Sequence, residues 1–295
     1  YGKAWKTDAD KLGGKKDITD PRFVTNFAGV SDFSMIPRVS DGQMLFMLNN
    51  IAKMKGNTVL GSRIAEVHNG SSLFTGDAGQ GESNARRYII ENDLLECIIA
   101  LPEKMFYNTG IGTFIWILSN KKEARRKGKI QLIDATSLKS PLRKNLGEKN
   151  CELSPELRQQ ILDLYMNFEE NEYSKIFANH EFGYWKVTVL QPELDSDGKP
   201  VCDKKSNLKA DKEKTDTEQI PFTYKGGISA FMEKEVLPFA PDAWIDEKKT
   251  QIGYEISFTK YFYKPIKLRE IVDIIAEIKA LEQETDGLLA EIIGG

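Results

Sequence analysis

The sequence is poor in the residues that build metal centres and disulfide frameworks. Its 295 residues include three cysteines, Cys97, Cys151 and Cys202, and two histidines, His68 and His180, all well separated. This scatter predicts neither a metal site nor structural disulfides, and it suits a reducing cytoplasm. No apolar run approaches the roughly 18–20 residues that span a bilayer, so no membrane partner is expected.

The sequence also lacks an excess of positive charge. It carries 41 Lys and Arg residues against 44 Asp and Glu residues, a formal net charge of −3. A protein that grips nucleic acid unaided usually has a strongly basic balance, so any DNA contact here needs a basic partner or a local patch. Two basic stretches, 121–129 and 139–149, are candidates, although a solvated loop face is preferred for the first. Arg86 and Arg87 are further candidate phosphate contacts, unless their helix face packs against the fold.

Short apolar runs and amphipathic segments alternate along the first half of the chain, which predicts an α/β fold. The runs at 94–101, 113–118 and 129–134 are typical of buried strands, and the apolar residues of 44–54 and 83–90 have helical spacing. Only a basic loop separates the second run from the third. We therefore expect these two to pair antiparallel at one edge of an otherwise parallel sheet.

The pattern changes after Thr136, and we predict a first domain over residues 1–138 and a mostly helical region over 139–295. Residues 195–218 are highly charged, as in a surface excursion or linker. Apolar residues three and four apart predict a terminal helix over 268–292 with a seam of about three heptads. Such a seam suits a partner helix, and packing on its own domain is the equal alternative.

Common catalytic motifs are absent from the sequence. It contains no P-loop, no G-x-S-x-G elbow and no zinc-ligand spacing. Residues 76–81 form a glycine-rich turn that weakly resembles a dinucleotide-binding loop, but a flexible turn before a helix is the favoured interpretation. Composition and periodicity alone therefore predict an architecture and no reaction.

Six stretches of the chain carry a family resemblance. They include GSRIAEVHNGSSLF and IALPEKMFYNTGI, and they lie in order at 61–74, 81–87, 99–111, 141–147, 182–189 and 253–263. Together they resemble the DNA-methyltransferase (modification, M) subunit of type I restriction–modification systems. The resemblance implies that the strands form the second half of a Rossmann-like class I methyltransferase sheet. It also implies methyl transfer from S-adenosylmethionine to adenine N6 in DNA.

The catalytic motif of that family is Asn-Pro-Pro-Tyr/Phe, often followed by Gly, and this sequence begins Tyr1-Gly2. We therefore interpret Tyr1 as the aromatic residue of the motif, which stacks on the flipped adenine in the family. The Asn, the two Pro residues and the cofactor motifs precede this point in the family pattern. We expect S-adenosylmethionine to serve the parent protein, and we expect this chain alone neither to bind it nor to transfer methyl groups.

A second wall for the flipped base is predicted in the loop between the first two apolar runs. The resemblance assigns an aromatic residue of this region to the target base, and Phe106 and Tyr107 are both candidates, with Thr109 and Gly110 beside them. The alternative is that Phe106 is an ordinary core residue and Tyr107 an ordinary surface residue.

The resemblance further implies an assembly of two M subunits with one specificity (S) subunit, which reads the DNA site. The predicted terminal helix would dock the S subunit, double-stranded DNA would be reached through the complex, and whether a nuclease subunit joins stays open. Two other hypotheses remain: a non-catalytic interaction module that joins a complex through its C-terminal helix, and a methyltransferase of the same fold that acts on RNA or protein. An Asn-Pro-Pro sequence immediately upstream in the gene would favour the DNA enzyme.

Overall fold

A computed structural model describes residues 3–202, 208–265 and 270–293. The chain divides into two compact units, Tyr1–Tyr261 and Phe262–Gly295. The first unit contains all the strands, and the second consists mainly of one long helix. Within the described ranges, no helix is long and apolar enough to cross a membrane.

Helices and strands alternate in the first part of the chain, and strands dominate the middle. The α-helices are α1 (Lys6–Lys11), α2 (Gln43–Ala52), α3 (Ser71–Phe74), α4 (Gly81–Glu91), α5 (Pro155–Asn167), α6 (Gly227–Phe231), α7 (Phe258–Phe262) and α8 (Ile271–Ile293). The strands are β1 (Val24–Phe27), β2 (Val30–Ser34), β3 (Arg63–Asn69), β4 (Leu95–Ala100), β5 (Thr113–Ser119), β6 (Lys129–Asp134), β7 (Ser140–Leu146), β8 (Lys149–Glu152), β9 (Ser174–Ala178), β10 (Gly183–Leu190), β11 (Asp216–Pro221), β12 (Trp244–Ile245) and β13 (Gln251–Tyr254).

Five strands form the main sheet in the order β3-β5-β4-β6-β9. β3, β4 and β6 share one direction, and β5 and β9 run opposite to them. The predicted α/β class is confirmed. The predicted pairing of β5 with β6 is wrong, because β4 lies between them. All six residues of β4 are buried, so this strand takes the centre and has a neighbour on each side.

One of the two edge strands of this sheet, β9, comes from beyond residue 138, where a domain boundary was predicted. β9 pairs antiparallel with β6, from Ser174 opposite Ile133 to Ala178 opposite Lys129. The first compact unit accordingly continues to Tyr261. Besides its helices, the region 139–295 holds a second sheet, in which β10 pairs with β11 on one side and with β12 and β13 on the other.

One face of the main sheet packs against α5. Seven buried residues form one cluster there: Cys97, Ile99, Leu101, Ile133, Ala135, Leu138 and Ile161. α5 begins as its sequence predicts, because the Ser154 hydroxyl accepts a hydrogen bond from the Leu157 N–H and Pro155 occupies the first turn. This packing holds the strand ends in fixed positions.

Candidate functional site

Three strands of the main sheet end at one edge, which we call the carboxyl edge. β3, β4 and β6 end there at Asn69, Ala100 and Asp134, and β5 begins there at Thr113. Ligands of open α/β sheets bind outside the carboxyl ends of the parallel strands. The β4–β5 loop, residues 101–112, lies along this edge and contains the predicted base-binding residues.

The two aromatic residues of the β4–β5 loop that are candidates for base contact lie in different environments. Phe106 packs against the buried cluster that includes Leu101 and Leu138, whereas Tyr107 is 63% exposed. The Lys149 ammonium group lies 5.8 Å from the centre of the Tyr107 ring, within the range of a cation–π contact. Tyr107 is therefore the candidate whose ring a base from solvent can reach.

The loop turns sharply around Tyr107. Lys104 and Asn108 adopt left-handed backbone conformations, with φ of 55° and 56°. The Thr109 hydroxyl accepts a long hydrogen bond from the Ile111 N–H at 3.4 Å. A Cβ added to Gly110 would meet no atom closer than 3.9 Å, so this glycine is not needed for space. Contact of Thr109 and Gly110 with a base stays a prediction.

A polar cleft of ≈ 540 Å³ adjoins the loop. Its lining joins the end of β3, the segment before α2 and the β4–β5 loop, and it consists of Arg38, Ser40, Asp41, Asn69, Gly70, Ser71 and Ile111. The cleft therefore lies along the carboxyl edge, between the β4–β5 loop and β3, which is an outermost strand of the sheet.

Four side chains at this cleft form one hydrogen-bond network. Gln43 Nε2 lies 2.7 Å from Asp41 Oδ2 and 2.8 Å from Asn69 Oδ1. The Ser71 hydroxyl lies 2.8 Å from the same nitrogen and donates to Asp41 Oδ2 at 2.7 Å. The Asn69 N–H donates to Gln43 Oε1 at 3.1 Å. The network fixes the oxygen atoms of Asp41 and Asn69 in position at the cleft.

The Asp41 carboxyl group is held in its ionised form. Burial raises the pKa of Asp41, but hydrogen bonds from Ser71 and Gln43 and the charge of Arg38 outweigh it, so the pKa lies below its ordinary value. The Arg38 guanidinium lies 3.8 Å from Asp41 Oδ2 and 3.6 Å from Glu82 Oε1. At neutral pH this carboxylate accepts hydrogen bonds well, and it is a weak general base.

The start of the described chain runs beside this network. Trp5 Nε1 donates to the Arg38 carbonyl at 2.9 Å, and the Trp5 N–H donates to the Val39 carbonyl at 2.9 Å. The Gly42 N–H donates to the Lys3 carbonyl at 3.0 Å. Residues 3–5 therefore lie at the carboxyl edge. Tyr1, the predicted catalytic aromatic residue, lies outside the described residues, and its role stays a prediction.

Arg86 does not occupy a position from which it can reach a phosphate. Its side chain is fully buried, and it donates from Nε to the Tyr254 carbonyl at 2.6 Å and from Nη1 to the Ser72 carbonyl at 3.0 Å. Burial lowers its pKa to about 10. Arg86 thus joins α4 to β13, which corrects the predicted phosphate contact in favour of its alternative, a packed helix face.

Arg87 is also engaged within the fold. Its side chain is mostly buried, its Nε lies 2.9 Å from Glu91 Oε1, and its guanidinium lies 5.9 Å and 5.7 Å from the ring centres of Phe27 and Phe33. These partners hold the charge against the β1–β2 hairpin. The predicted role of Arg87 as a DNA contact gains no support from this position.

The glycine-rich turn at 76–81 does not fit S-adenosylmethionine. A Cβ added to Gly81 would lie 2.7 Å from the Ile36 carbonyl oxygen, and one added to Gly79 would lie 3.1 Å from the Gln251 side chain. The glycines therefore make room for the chain's own atoms and not for a nucleotide. The interpretation as a plain turn before a helix agrees with this packing.

The polar network at the cleft was not predicted from the sequence. Its members come from two short segments, Asp41-Gly42-Gln43 at the start of α2 and Asn69-Gly70-Ser71 between the end of β3 and the start of α3. For Asn69 and Ser71, polar residues at the end of a strand are a signal that could have revealed them, because such residues lie at the carboxyl edge of a sheet.

Comparison with known proteins agrees with the resemblance found in the sequence. A family model described as N-6 DNA methylase matches residues 1–183, more than half of the chain. The chain belongs to the N-6 DNA methylase family. The part matched contains the main sheet, the β4–β5 loop and the polar cleft, so the candidate site of this N-6 DNA methylase lies within its family segment.

The curated relatives are methylase subunits of type I restriction enzymes. The chain is 34% identical over 114 residues to the MjaIX methylase subunit and 37% identical over 115 residues to the MjaVII methylase subunit, both from Methanocaldococcus jannaschii. These matches cover 38% and 37% of this chain, and 19% and 18% of the relatives. The chain therefore matches less than a fifth of their length.

Solved structures include a similar chain from a type I system. It is the restriction–modification methyltransferase subunit of Streptococcus thermophilus, with 21% sequence identity and a TM-score of 0.46. The superposition covers 62% of this chain and 33% of that one.

Proposed function

We propose that this N-6 DNA methylase chain is part of an S-adenosylmethionine-dependent DNA adenine-N6 methyltransferase subunit of a type I restriction–modification system. Within it, Tyr107 forms one wall of the site for the flipped adenine. The observation that carries this proposal is the exposed Tyr107 ring on the β4–β5 loop, at the carboxyl edge of the sheet and beside the polar cleft.

Stacking is the contribution that Tyr107 would make to the reaction. Flipping an adenine base out of the duplex costs a few kcal/mol of free energy. Stacking of the base on an aromatic side chain offsets roughly 1–3 kcal/mol of that cost. The Lys149 ammonium near the ring limits the directions from which a base can stack on Tyr107. Tyr107 would therefore position the base without taking part in proton transfer.

None of the groups described above is assigned to the methyl donor. S-adenosylmethionine supplies the methyl group in such a reaction, and the glycine-rich turn does not fit it. We assign no step through the cofactor to this chain, and we propose that the chain alone is inactive. Tyr1, by the family resemblance, would supply a further ring at the base.

The docking of a specificity subunit is the second part of the proposal. α8 runs from Ile271 to Ile293, close to the predicted 268–292, of which 268 and 269 lie outside the described residues. Its apolar residues Ile271, Val272 and Ile278 are more than half exposed. An exposed apolar stripe on a long helix is typical of a helix that packs against a partner helix. A second M subunit and the DNA would complete the assembly.

The role of Tyr107 is tested in the complete enzyme with a fluorescent adenine analogue at the target position. We expect Tyr107→Ala to weaken the flipped state about 5- to 150-fold, which corresponds to the loss of 1–3 kcal/mol of stacking. Tyr107→Phe keeps the ring and should retain the flipped-base signal. The measurement is the analogue's fluorescence on binding, with the affinity for the duplex.

Phe106→Ala is the comparison inside the same loop. Because Phe106 is partly buried against the core, its truncation should lower the free energy of unfolding by about 1–3 kcal/mol, less than for a fully buried phenylalanine. Tyr107→Ala should leave unfolding almost unchanged. An unaltered fluorescence signal in folded Tyr107→Ala enzyme would remove Tyr107 from the base site.

A further inference from the structure

The β7–β8 hairpin lies against the loop that carries Tyr107. The Asn150 N–H donates to the Lys104 carbonyl at 3.0 Å, and the buried Cys151 thiol donates to the Glu103 carbonyl at 3.3 Å. At the tip, Gly147 adopts a φ of 61°, and a Cβ there would lie 3.2 Å from Asn108 Oδ1. β8 is therefore hydrogen-bonded to the β4–β5 loop, and the tip of the hairpin lies close to Asn108 of the same loop.

The hairpin and the residue before it carry more cationic than acidic side chains. Residues 139–152 contain four cationic residues, Lys139, Arg143, Lys144 and Lys149, against two acidic residues, Glu148 and Glu152. Lys139, Arg143 and Lys144 are exposed. In the part of the chain that the structure describes, none of these three forms an ion pair. They contrast with Lys122 and Arg126 of the other basic stretch, which are buried.

We propose that the β7–β8 hairpin is a DNA-backbone arm, in which Lys139, Arg143 and Lys144 contact the phosphates that flank the base held at Tyr107. This inference rests on the proposed function, which places a flipped base beside the same loop. In a chain with a net charge of −3, this local patch supplies the attraction that the overall charge does not.

The spacing of the cations suits a nucleic-acid backbone. Lys139 directly precedes β7 and Arg143 lies within it, so at the rise of an extended strand their backbones are roughly 13 Å apart. Along the axis of a duplex, where each strand places one phosphate every 3.4 Å, a length of roughly 13 Å spans about four phosphate steps. Residues 143–146 are all exposed, so the strand presents both of its faces to solvent. An arm of this kind positions the backbone without reading sequence.

The arm is tested on the full chain with a short fluorescent duplex that contains one unpaired adenine. The affinity is measured by anisotropy between about 50 and 200 mM salt. The logarithm of the binding constant falls linearly with the logarithm of the salt concentration, with a slope of about −0.9 for each neutralised phosphate. We expect Arg143→Ala/Lys144→Ala to weaken binding and to reduce the salt slope by about 2.

The matched control is Arg158→Ala/Lys234→Ala, which removes the same charges from exposed positions on α5 and after α6. It should leave the salt slope unchanged. Three results would each contradict the proposed arm. They are an equal loss of DNA affinity in the two double variants, an unchanged salt slope in the hairpin variant, and no salt-dependent DNA binding by the unsubstituted chain. None of these outcomes affects the Tyr107 experiment, because that experiment measures stacking and not phosphate contacts.

Discussion

A buried lysine, Lys122, and a partly buried carboxylate, Asp93, connect segments of the chain at the end of the main sheet opposite to the carboxyl edge. The Lys122 side chain is almost fully buried, and its ammonium group lies 2.6 Å from Asp93 Oδ1 and donates to the Lys129 carbonyl at 2.8 Å. Asp93 also accepts hydrogen bonds from the Gly128 N–H at 3.0 Å and from Asn179 Nδ2 at 2.9 Å. One carboxylate thus holds together the segment after α4, the β5–β6 connection and the segment after β9.

Asp93 gives the protein a predictable dependence on acid. Burial raises the pKa of Asp93, but hydrogen bonds from Lys122, Gly128 and Asn179 outweigh it, so its pKa in the folded state lies below the ordinary value. Such a group stabilises the fold above its unfolded pKa of about 4 and loses that contribution as the pH falls through the folded pKa. We expect Asp93→Asn to lower the free energy of unfolding at pH 7 by about 1–2 kcal/mol, the lower part of the range for charged hydrogen bonds because solvent screens a partly exposed carboxylate.

Urea unfolding at neutral and acidic pH checks this prediction. The difference between wild type and Asp93→Asn should shrink as the pH falls below about 4, the unfolded pKa, and should be lost once the pH is below the lower pKa of the folded state. Asp242→Asn, at an exposed position, is the control and should behave as wild type at both values. A difference that is the same at neutral and acidic pH would mean that the Asp93 charge does not stabilise the fold.

Single residues were the hardest level to predict from the sequence. Arg86 looked like an exposed cation, yet its partner Tyr254 lies 168 residues away, and no local pattern predicts such a contact. Lys122 and Arg126 stood in a run of charges typical of a solvated loop, and both are buried. Tyr107 was one of two candidates until the packing of Phe106 into the core distinguished them.

At the level of elements, α8 carries the proposed partner contact. α8 belongs to the second compact unit, Phe262–Gly295, and the described strands belong to the first. Deletion of residues 268–295 should therefore leave the first unit folded and abolish co-purification with the specificity subunit. The measurements are affinity capture of the co-expressed subunits and the near-ultraviolet circular dichroism of the shortened chain.

Point variants on α8 make this test sharper. Ile274→Asp/Ile278→Asp places charges on the exposed apolar stripe and should weaken capture by at least tenfold, because a buried unpaired charge at a helix interface is strongly unfavourable. Lys279→Ala, on the same helix, is the matched control and should have little effect. Undiminished capture of the specificity subunit by the shortened chain would contradict the docking role.

The strength of the sequence pattern decides which elements were predictable. β4, β5 and β6 are continuous apolar runs because they are buried in the sheet, and the sequence predicts all three. β9 and β7 have no such pattern, since β9 is half-buried at an edge and β7 is exposed. The order of the strands depends on contacts across the sheet, and this is why the pairing of β5 with β6 was predicted wrongly.

At the level of the whole first unit, the glycine-rich turn connects the two sheets. The Lys186 ammonium group on β10 lies 2.6 Å from Asp77 Oδ2, and the Gly79 N–H donates to the Ile252 carbonyl on β13 at 3.1 Å. The Ile256 N–H donates to the Leu73 carbonyl at 3.0 Å just before this turn. A turn that resembles a nucleotide-binding loop in sequence therefore serves as the docking point of the second sheet.

This arrangement leads to a prediction about the methyl donor. Because the second sheet fills the glycine-rich turn, we expect the full 295-residue chain to show no binding of S-adenosylmethionine in isothermal titration calorimetry and no methyl transfer to DNA. A complete type I methylase subunit, titrated under the same conditions, is the positive control. Micromolar binding by the chain alone would show that its own residues form a donor pocket, and it would overturn the proposal that the chain is inactive without the rest of the enzyme.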